Sequence, residues 1–361
     1  MALKCGIVGL PNVGKSSLFN ALTEAGIPAE NFPFCTIEPN IGVVNLPDPR
    51  LDKIHAITKS AAKIQNTTTF VDIAGLVKGA ANGEGLGNAF LANIREVNAI
   101  LHVVRCFEDE KIVHVHGEAN PASDFEVINL ELGLADISML ENSIQKIEKK
   151  LRSGEKSLLK DFEVLQAAKA AIEMEENLDT SNFDDHQINY LHSLNLLTLK
   201  PVLVIANISE NANQNNLDTL HSICKEKKIG MINAVIKNEL EIAQLEQDER
   251  KEYLEMLGME NTVLEKIILA SYDLLNMGTF FTSGPNESRA WSFKIGSTAP
   301  QAAGTIHTDF QKGFIKAEVL SYDDFINCSG LLNAKNQGKV RLEGKEYLMN
   351  DGDIVHFKFN V

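Results

Sequence analysis

The stretch GLPNVGKS, residues 9 to 16, has the spacing of a phosphate-binding loop, GxxxxGK[ST]. It stands after the apolar run CGIVGL and before a helical pattern, the strand-loop-helix setting in which such a loop works. Gly14 lets the backbone curl so that successive N–H groups face a phosphate. Lys15 then reaches the β and γ phosphates, and the Ser16 hydroxyl is a ligand for Mg²⁺. The competing explanation, a glycine turn with an incidental lysine, does not account for the whole match in that context.

A phosphate loop alone does not separate kinases from switch ATPases and GTPases. The tetrapeptide DIAG, residues 72 to 75, adds more. Asp72 closes an apolar strand pattern and can hold a Mg²⁺-bound water, while Gly75 can present its N–H to the γ-phosphate and flip when that phosphate leaves. Thr36, in NFPFCTIEPN, lies between the first helix and the second strand, where a threonine completes the metal shell only when the γ-phosphate is present. Each piece is common by chance. Their order, Ser16, Thr36, Asp72, favours a nucleotide switch.

The apolar run PVLVIANISE, residues 201 to 210, stops at Asn207, with Glu210 three positions on. Switch GTPases use Asn-Lys-x-Asp here, and the aspartate accepts two hydrogen bonds from guanine. In this chain Glu210 is a methylene longer and Ile208 replaces the lysine stem that flanks the base. A site that pairs guanine tightly rejects adenine because unpaired buried polar groups are costly; loosening the pair removes that rejection. The plain alternative is that Asn207 caps the next helix and Glu210 is solvated surface.

These residues need a scaffold. A chain of 361 residues is long enough for two or three domains. An apolar fraction of 44% and a charged fraction of 23% belong to a soluble globular protein. No apolar run approaches the roughly 20 residues of a membrane span, so a cytoplasmic protein with no membrane partner is expected. The five cysteines are scattered without CxxC spacing, which argues against a disulfide framework or a zinc site. A net charge of −15 confines any nucleic-acid contact to a local basic patch.

The first 125 residues alternate short β-branched runs, CGIVGL, TTTFVDIAG and AILHVVRCF, with amphipathic helices, as in a parallel sheet covered on both faces. PVLVIAN and GMINAVI add two strands later. Between them, from Ser123 with its capping-box partner Glu126, the positions Ile137, Leu140, Ile144, Ile147 and Leu151 mark a long helix. Leu158, Phe162, Leu165 and Ile172 continue that spacing after RSGEK, which predicts an antiparallel coiled-coil hairpin inserted into the sheet domain. From about Gly278 the runs become short and β-like with glycine and proline turns, predicting a small, mainly antiparallel α+β domain.

The segments GIVGLPNVGKSSLFNALT, NFPFCTIEPN, VDIAGLVKGAANGEGLGNAFLANIREV, NISE and RAWSFKIGSTAPQAAGTIHTDFQKGFIKAEVLSYDDF together resemble the YchF family of Obg-like ATPases, over nearly the whole chain. The resemblance implies an α/β fold: a P-loop G-domain-like, mostly parallel sheet (1–125 and 199–277) with an inserted α-helical coiled coil (126–198) and a C-terminal α+β ubiquitin-like TGS, or β-grasp, domain (278–361). It also implies ATP preferred over GTP, Mg²⁺ as cofactor, slow hydrolysis, a monomer, and association with the ribosome through the large subunit or the 70S particle. Nucleotide binding falls on Asn12, Val13, Gly14, Lys15, Ser16, Ser17, Asn207, Ile208 and Glu210, and Mg²⁺ on Ser16 and Thr36. The chain departs from the family at Val235-Ile236, where a Ser-Ala or Cys-Ala pair is usual, and this keeps GTP in play.

Leu76 follows Gly75 where Ras-like proteins place a water-orienting glutamine, and leucine cannot hydrogen-bond water. A partner, or a histidine of EDEKIVHVHG, must then position the attacking water; His114 is the better family match and His116 the alternative. The segment KIEKKLRSGEKSLLK carries Lys146, Lys149, Lys150, Arg152, Lys156 and Lys160, a candidate RNA contact on an acidic protein, or simply the solvated face of a helix. The tail adds Lys312, Lys316, Lys335, Lys339 and Arg341 beside Phe310, Phe314 and Tyr347. Two classes of function remain: a slow ATPase switch on the ribosome, and a nucleotide-gated RNA or ribosome adaptor in which turnover is incidental.

Overall fold

The computed structural model describes residues 4–25, 40–73, 86–109, 120–176, 178–209, 214–245, 247–256 and 261–360. The chain opens with β1 (Lys4–Val8) and α1 (Lys15–Ala25). Then come β2 (Ile41–Leu46), α2 (Pro49–Thr58), β3 (Ala62–Ile64), β4 (Asn66–Asp72), α3 (Leu86–Glu96) and β5 (Ala99–Cys106). Three helices follow, α4 (Pro121–Arg152), α5 (Leu159–Glu173) and α6 (Asp185–Ser193). The sheet resumes with β6 (Val202–Ile208), α7 (Gln214–Glu226), β7 (Gly230–Ala234), α8 (Ile236–Ala243), α9 (Gln247–Met256) and α10 (Val263–Leu274). The last part comprises β8 (Met277–Ser283), β9 (Glu287–Lys294), α11 (Ala299–Ile306), α12 (Thr308–Lys312), β10 (Phe314–Leu320), α13 (Tyr322–Asn327), α14 (Leu331–Asn336), β11 (Arg341–Glu343) and β12 (Ile354–Phe359).

The first sheet runs β2-β4-β1-β5-β6-β7. Only the edge pair β2 and β4 is antiparallel; the others are parallel. Every residue of β5 is buried, as a central strand covered by helices on both faces requires. Parallel registry then aligns the strand ends: Ile7 sits beside Asp72, and Asn207 lies between Arg105 and Ala234. The phosphate-loop segment, Asp72 and Asn207 therefore meet at the carboxyl edge, where open α/β sheets bind ligands.

The insertion differs from the expected hairpin in two ways. α4 starts at Pro121 with Asn120 as its cap, the Asn120 side chain accepting from the Ser123 N–H at 3.1 Å. Asparagine followed by proline at the first helical position is a stronger start than the Ser123-Glu126 pattern, because the proline has no N–H to satisfy. A third helix, α6, with its own capping box of Asp184 and Gln187, joins the α4-α5 seam. Leu140, Val164, Leu165 and Leu191 are buried together there.

The C-terminal sheet runs β11-β10-β12-β8-β9-β3. Its β8-β9, β10-β11 and β10-β12 pairs are antiparallel, over a core that includes Phe280, Phe293, Phe314 and Phe357. The sixth strand, β3, comes from the first sheet's own connection and pairs in parallel with β9. α2 accompanies it: Leu51 and Ile54 are fully buried among Phe281, Leu320 and Phe325. Arg50 fixes this junction. It donates to Asp48 at 2.8 Å and to Asp351 at 2.6 Å, and lies over the Phe281 ring at 5.3 Å.

Candidate nucleotide-binding site

The phosphate loop is held from below and from the side. At Gly9 a side chain would meet the Val103 carbonyl at 2.4 Å, so the loop can leave β1 only as glycine. Gly14, at φ +101°, faces the Asn207 amide, which a Cβ would approach to 2.5 Å. Asn207 is buried and donates from Nδ2 to the Val13 carbonyl at 2.9 Å, so β6 braces the loop directly. Lys15 is 8% exposed and curls back to donate to the Leu10 carbonyl at 2.8 Å. Burial lowers its pKa, and the nearby Asp72 charge works against that.

Ser16 donates from Oγ to Asp72 Oδ2 at 2.8 Å. Among the described residues, Asp72 Oδ1 is buried without a hydrogen-bond partner. A hydroxyl and a half-satisfied carboxylate, both hard oxygen donors at the mouth of a phosphate loop, suit Mg²⁺ with retained water. The residues present therefore fit the ion that the motif implies.

A cavity of about 880 Å³ opens beside the loop, a volume suited to a nucleotide. Asn12, Gly14, Lys15, Ser16 and Ser17 line it together with Asn207, Ile208, Val235, Ile236 and Lys237. Ile236, the first residue of α8, is 2% exposed and reaches to 3.6 Å from where a Cβ at Gly14 would lie, so it sets a fixed apolar side chain beside the loop. The cavity also has lining residues absent from the sequence reading, Phe107 to Asp109. Arg105, 3% exposed, pins them: Nε donates to the Phe107 carbonyl at 3.1 Å, an Nη donates to the Asp109 carbonyl at 3.3 Å, and the guanidinium lies 4.6 Å from the Phe107 ring centre. Their signal was available, since the residues after β5 must emerge at the same edge as those after β1 and β6.

Thr36, Gly75, Leu76, His114, His116 and Glu210 lie outside the described residues. The basic tip is described. Lys146, Lys149, Lys150, Arg152, Lys156 and Lys160 are all exposed around the α4-α5 turn. Arg152 pairs with Glu148 at 3.7 Å, and Lys160 is tied to Asp184 at 2.5 Å, so Lys160 belongs to the α6 cap as much as to the tip.

Residues 4–143 match a family described as 50S ribosome-binding GTPase, and residues 277–360 match YchF-GTPase_C, described as a protein of unknown function (DUF933). A protein named ribosome-binding ATPase YchF from Pasteurella multocida is 51% identical over the full length of both chains. The one from Bacillus subtilis is 47% identical, again over both full lengths. The chain belongs to the YchF family. A solved YchF GTPase of Schizosaccharomyces pombe superposes with a TM-score of 0.87 at 35% identity, covering 99% of this chain and 97% of that one. The YchF fold thus carries the whole chain, including the insertion and the C-terminal sheet. Among the described residues no helix is long and apolar enough to cross a membrane.

Proposed function

We propose that this chain is a ribosome-associated ATPase that uses its nucleotide cycle as a switch in translation or its regulation. The carrying observation is the Ser16 to Asp72 pair at 2.8 Å, with Asp72 Oδ1 buried and without a partner among the described residues, at the mouth of a braced phosphate loop. Ser16 would hold Mg²⁺ directly, Asp72 through water, and Thr36 once the γ-phosphate is present. The ion, when bound, neutralises charge on the β and γ phosphates.

Lys15 would exchange the Leu10 carbonyl for a phosphate oxygen, a neutral acceptor for an anionic one, which favours the bound loop. Gly75 would donate its N–H to the γ-phosphate. Leu76 leaves the attacking water without a glutamine, so slow intrinsic turnover follows, with His114 as the residue that positions the water. At the base end, Ile208 and Ile236 supply apolar walls and Glu210 stands where guanine-selecting sites carry aspartate, so adenine is favoured and guanine is weaker or comparable. The tip lysines and Arg152 are proposed to contact ribosomal RNA, which their exposure allows.

Calorimetric titration of the full chain with ATP and with GTP, each with Mg²⁺, tests the base assignment. ATP should bind at least as tightly as GTP. GTP binding tighter by ~10-fold, about 1.4 kcal/mol, would overturn it.

A further inference from the structure

A second large concavity, about 950 Å³, lies away from the nucleotide site, where the root of α4 faces the end of α5 and the last turn of α7. Its apolar lining is only partly covered. Leu130 and Leu134, one helical turn apart on α4, are 58% and 43% exposed, and Leu199 opposite them is 47% exposed. Ile137 extends the α4 stripe by a further turn, and Ile223 and Ile229 add apolar surface from the α7 side. A stripe at this spacing complements the apolar face of another helix.

The rim is acidic. Glu126, Glu173, Glu175, Glu176 and Glu226 line it. Of the two lysines there, Lys200 is turned inward, its Nζ donating to the Val97 and Arg95 carbonyls at 2.6 and 3.1 Å. Lys227 lies between Glu126 and Glu175, at 4.0 and 3.9 Å, and Lys169, shared with Glu141, reaches Glu173 at 3.5 Å. Among the described residues Glu176 and Glu226 form no ion pair, so the border keeps a net negative charge. The groove thus joins an apolar floor to a negative border, the opposite polarity to the α4-α5 tip.

We propose that this groove docks a basic amphipathic helix of a partner protein, with its apolar face on Leu130, Leu134 and Leu199 and its lysines or arginines on the glutamate rim. An RNA strand or an anionic membrane would set its phosphates against a rim on which five glutamates outnumber the lysines paired with them, and would leave the leucines unused, so a protein segment is the occupant that the charge selects. The inference is independent of which nucleotide the chain hydrolyses.

The test uses the full-length chain and a fluorescent synthetic helix of about 20 residues, ~30 Å long, with leucines along one face and lysines flanking them. A control peptide has the same composition scrambled to destroy the amphipathic face. The patterned peptide should bind and the scrambled one should not. Leu130→Ser with Leu134→Ser should weaken binding by ~10-fold or more, as removal of central anchors does. Glu173→Gln with Glu176→Gln should weaken it and flatten its salt dependence. ATP affinity should stay unchanged in all variants, which shows that they are folded. Equal binding of both peptides, binding unaffected by the leucine changes, or displacement of the peptide by a single-stranded RNA of matching length would each overturn the proposal.

Discussion

At the scale of single residues, Asn207 carries more than its place in a base-reading motif implied. Its amide holds the Val13 carbonyl, and the glycine beside it exists because nothing larger fits. Asn207→Ala would leave that carbonyl without its donor and release the loop, at a cost of about 1–3 kcal/mol, or ~5–150-fold in affinity. The loss should be the same for ATP and GTP, because the brace acts on the phosphate loop. Calorimetry on the variant checks this, and a loss confined to one base would return Asn207 to base selection. The phosphate loop, Ser16 and Asp72 were legible because each is a short motif whose geometry is local. Phe107 and Arg105 follow only from topology: with β1, β5 and β6 parallel in one sheet, the residues after β5 emerge at the edge that carries the phosphate loop, a signal held by the strand arrangement and by no single motif.

At the scale of elements, β5 couples the site to the insertion. His102 on β5 is fully buried behind the phosphate loop and stacks on Phe125 of α4 with ring centres 5.1 Å apart. Burial, aided by the Lys15 charge, lowers its pKa from 6.5 to about 3. The folded state keeps His102 neutral while the unfolded chain takes up a proton below its ordinary pKa. The stability contribution is therefore complete above pH 6.5 and is lost as the pH falls from there towards 3. Denaturant midpoints at pH 7 and pH 5 should show a loss of up to about 1.4 kcal/mol per pH unit that is absent in His102→Leu. An unchanged slope in that variant would assign the acid sensitivity elsewhere. The helices of the insertion were readable from their three-and-four spacing, since the seam is amphipathic. α6 was not, because its short apolar pattern gains meaning only against α5.

At the scale of the whole molecule, the chain reaches the second sheet twice, by the direct passage from α10 to β8 and by an earlier excursion. The connection between β2 and β4 leaves the nucleotide domain, lends β3 and α2 to the C-terminal sheet, and returns to end at Asp72. The sequence showed the composition change near Gly278, yet the sixth strand of that sheet lies more than 200 residues upstream, out of reach of any local signal. Arg50 anchors the excursion, so Arg50→Ala removes its pairs with Asp48 and Asp351 and its contact with Phe281. A drop of about 1–3 kcal/mol is expected in the denaturant unfolding free energy, with exposed Asp351 contributing the smaller share. A stability within ~0.5 kcal/mol of the parent would show that the apolar contacts of Leu51 and Ile54 hold the junction alone.

The central claim, that a nucleotide cycle built on Lys15, Ser16 and Asp72 answers to the ribosome, is tested most directly by single-turnover ATP hydrolysis with and without 70S particles. Slow turnover without ribosomes and faster turnover with them is the expected result, with the stimulation reduced when the six basic residues of the α4-α5 tip are neutralised and the basal rate reduced in His114→Ala. Negligible turnover that ribosomes leave unchanged, in a chain that still binds ATP, would contradict it.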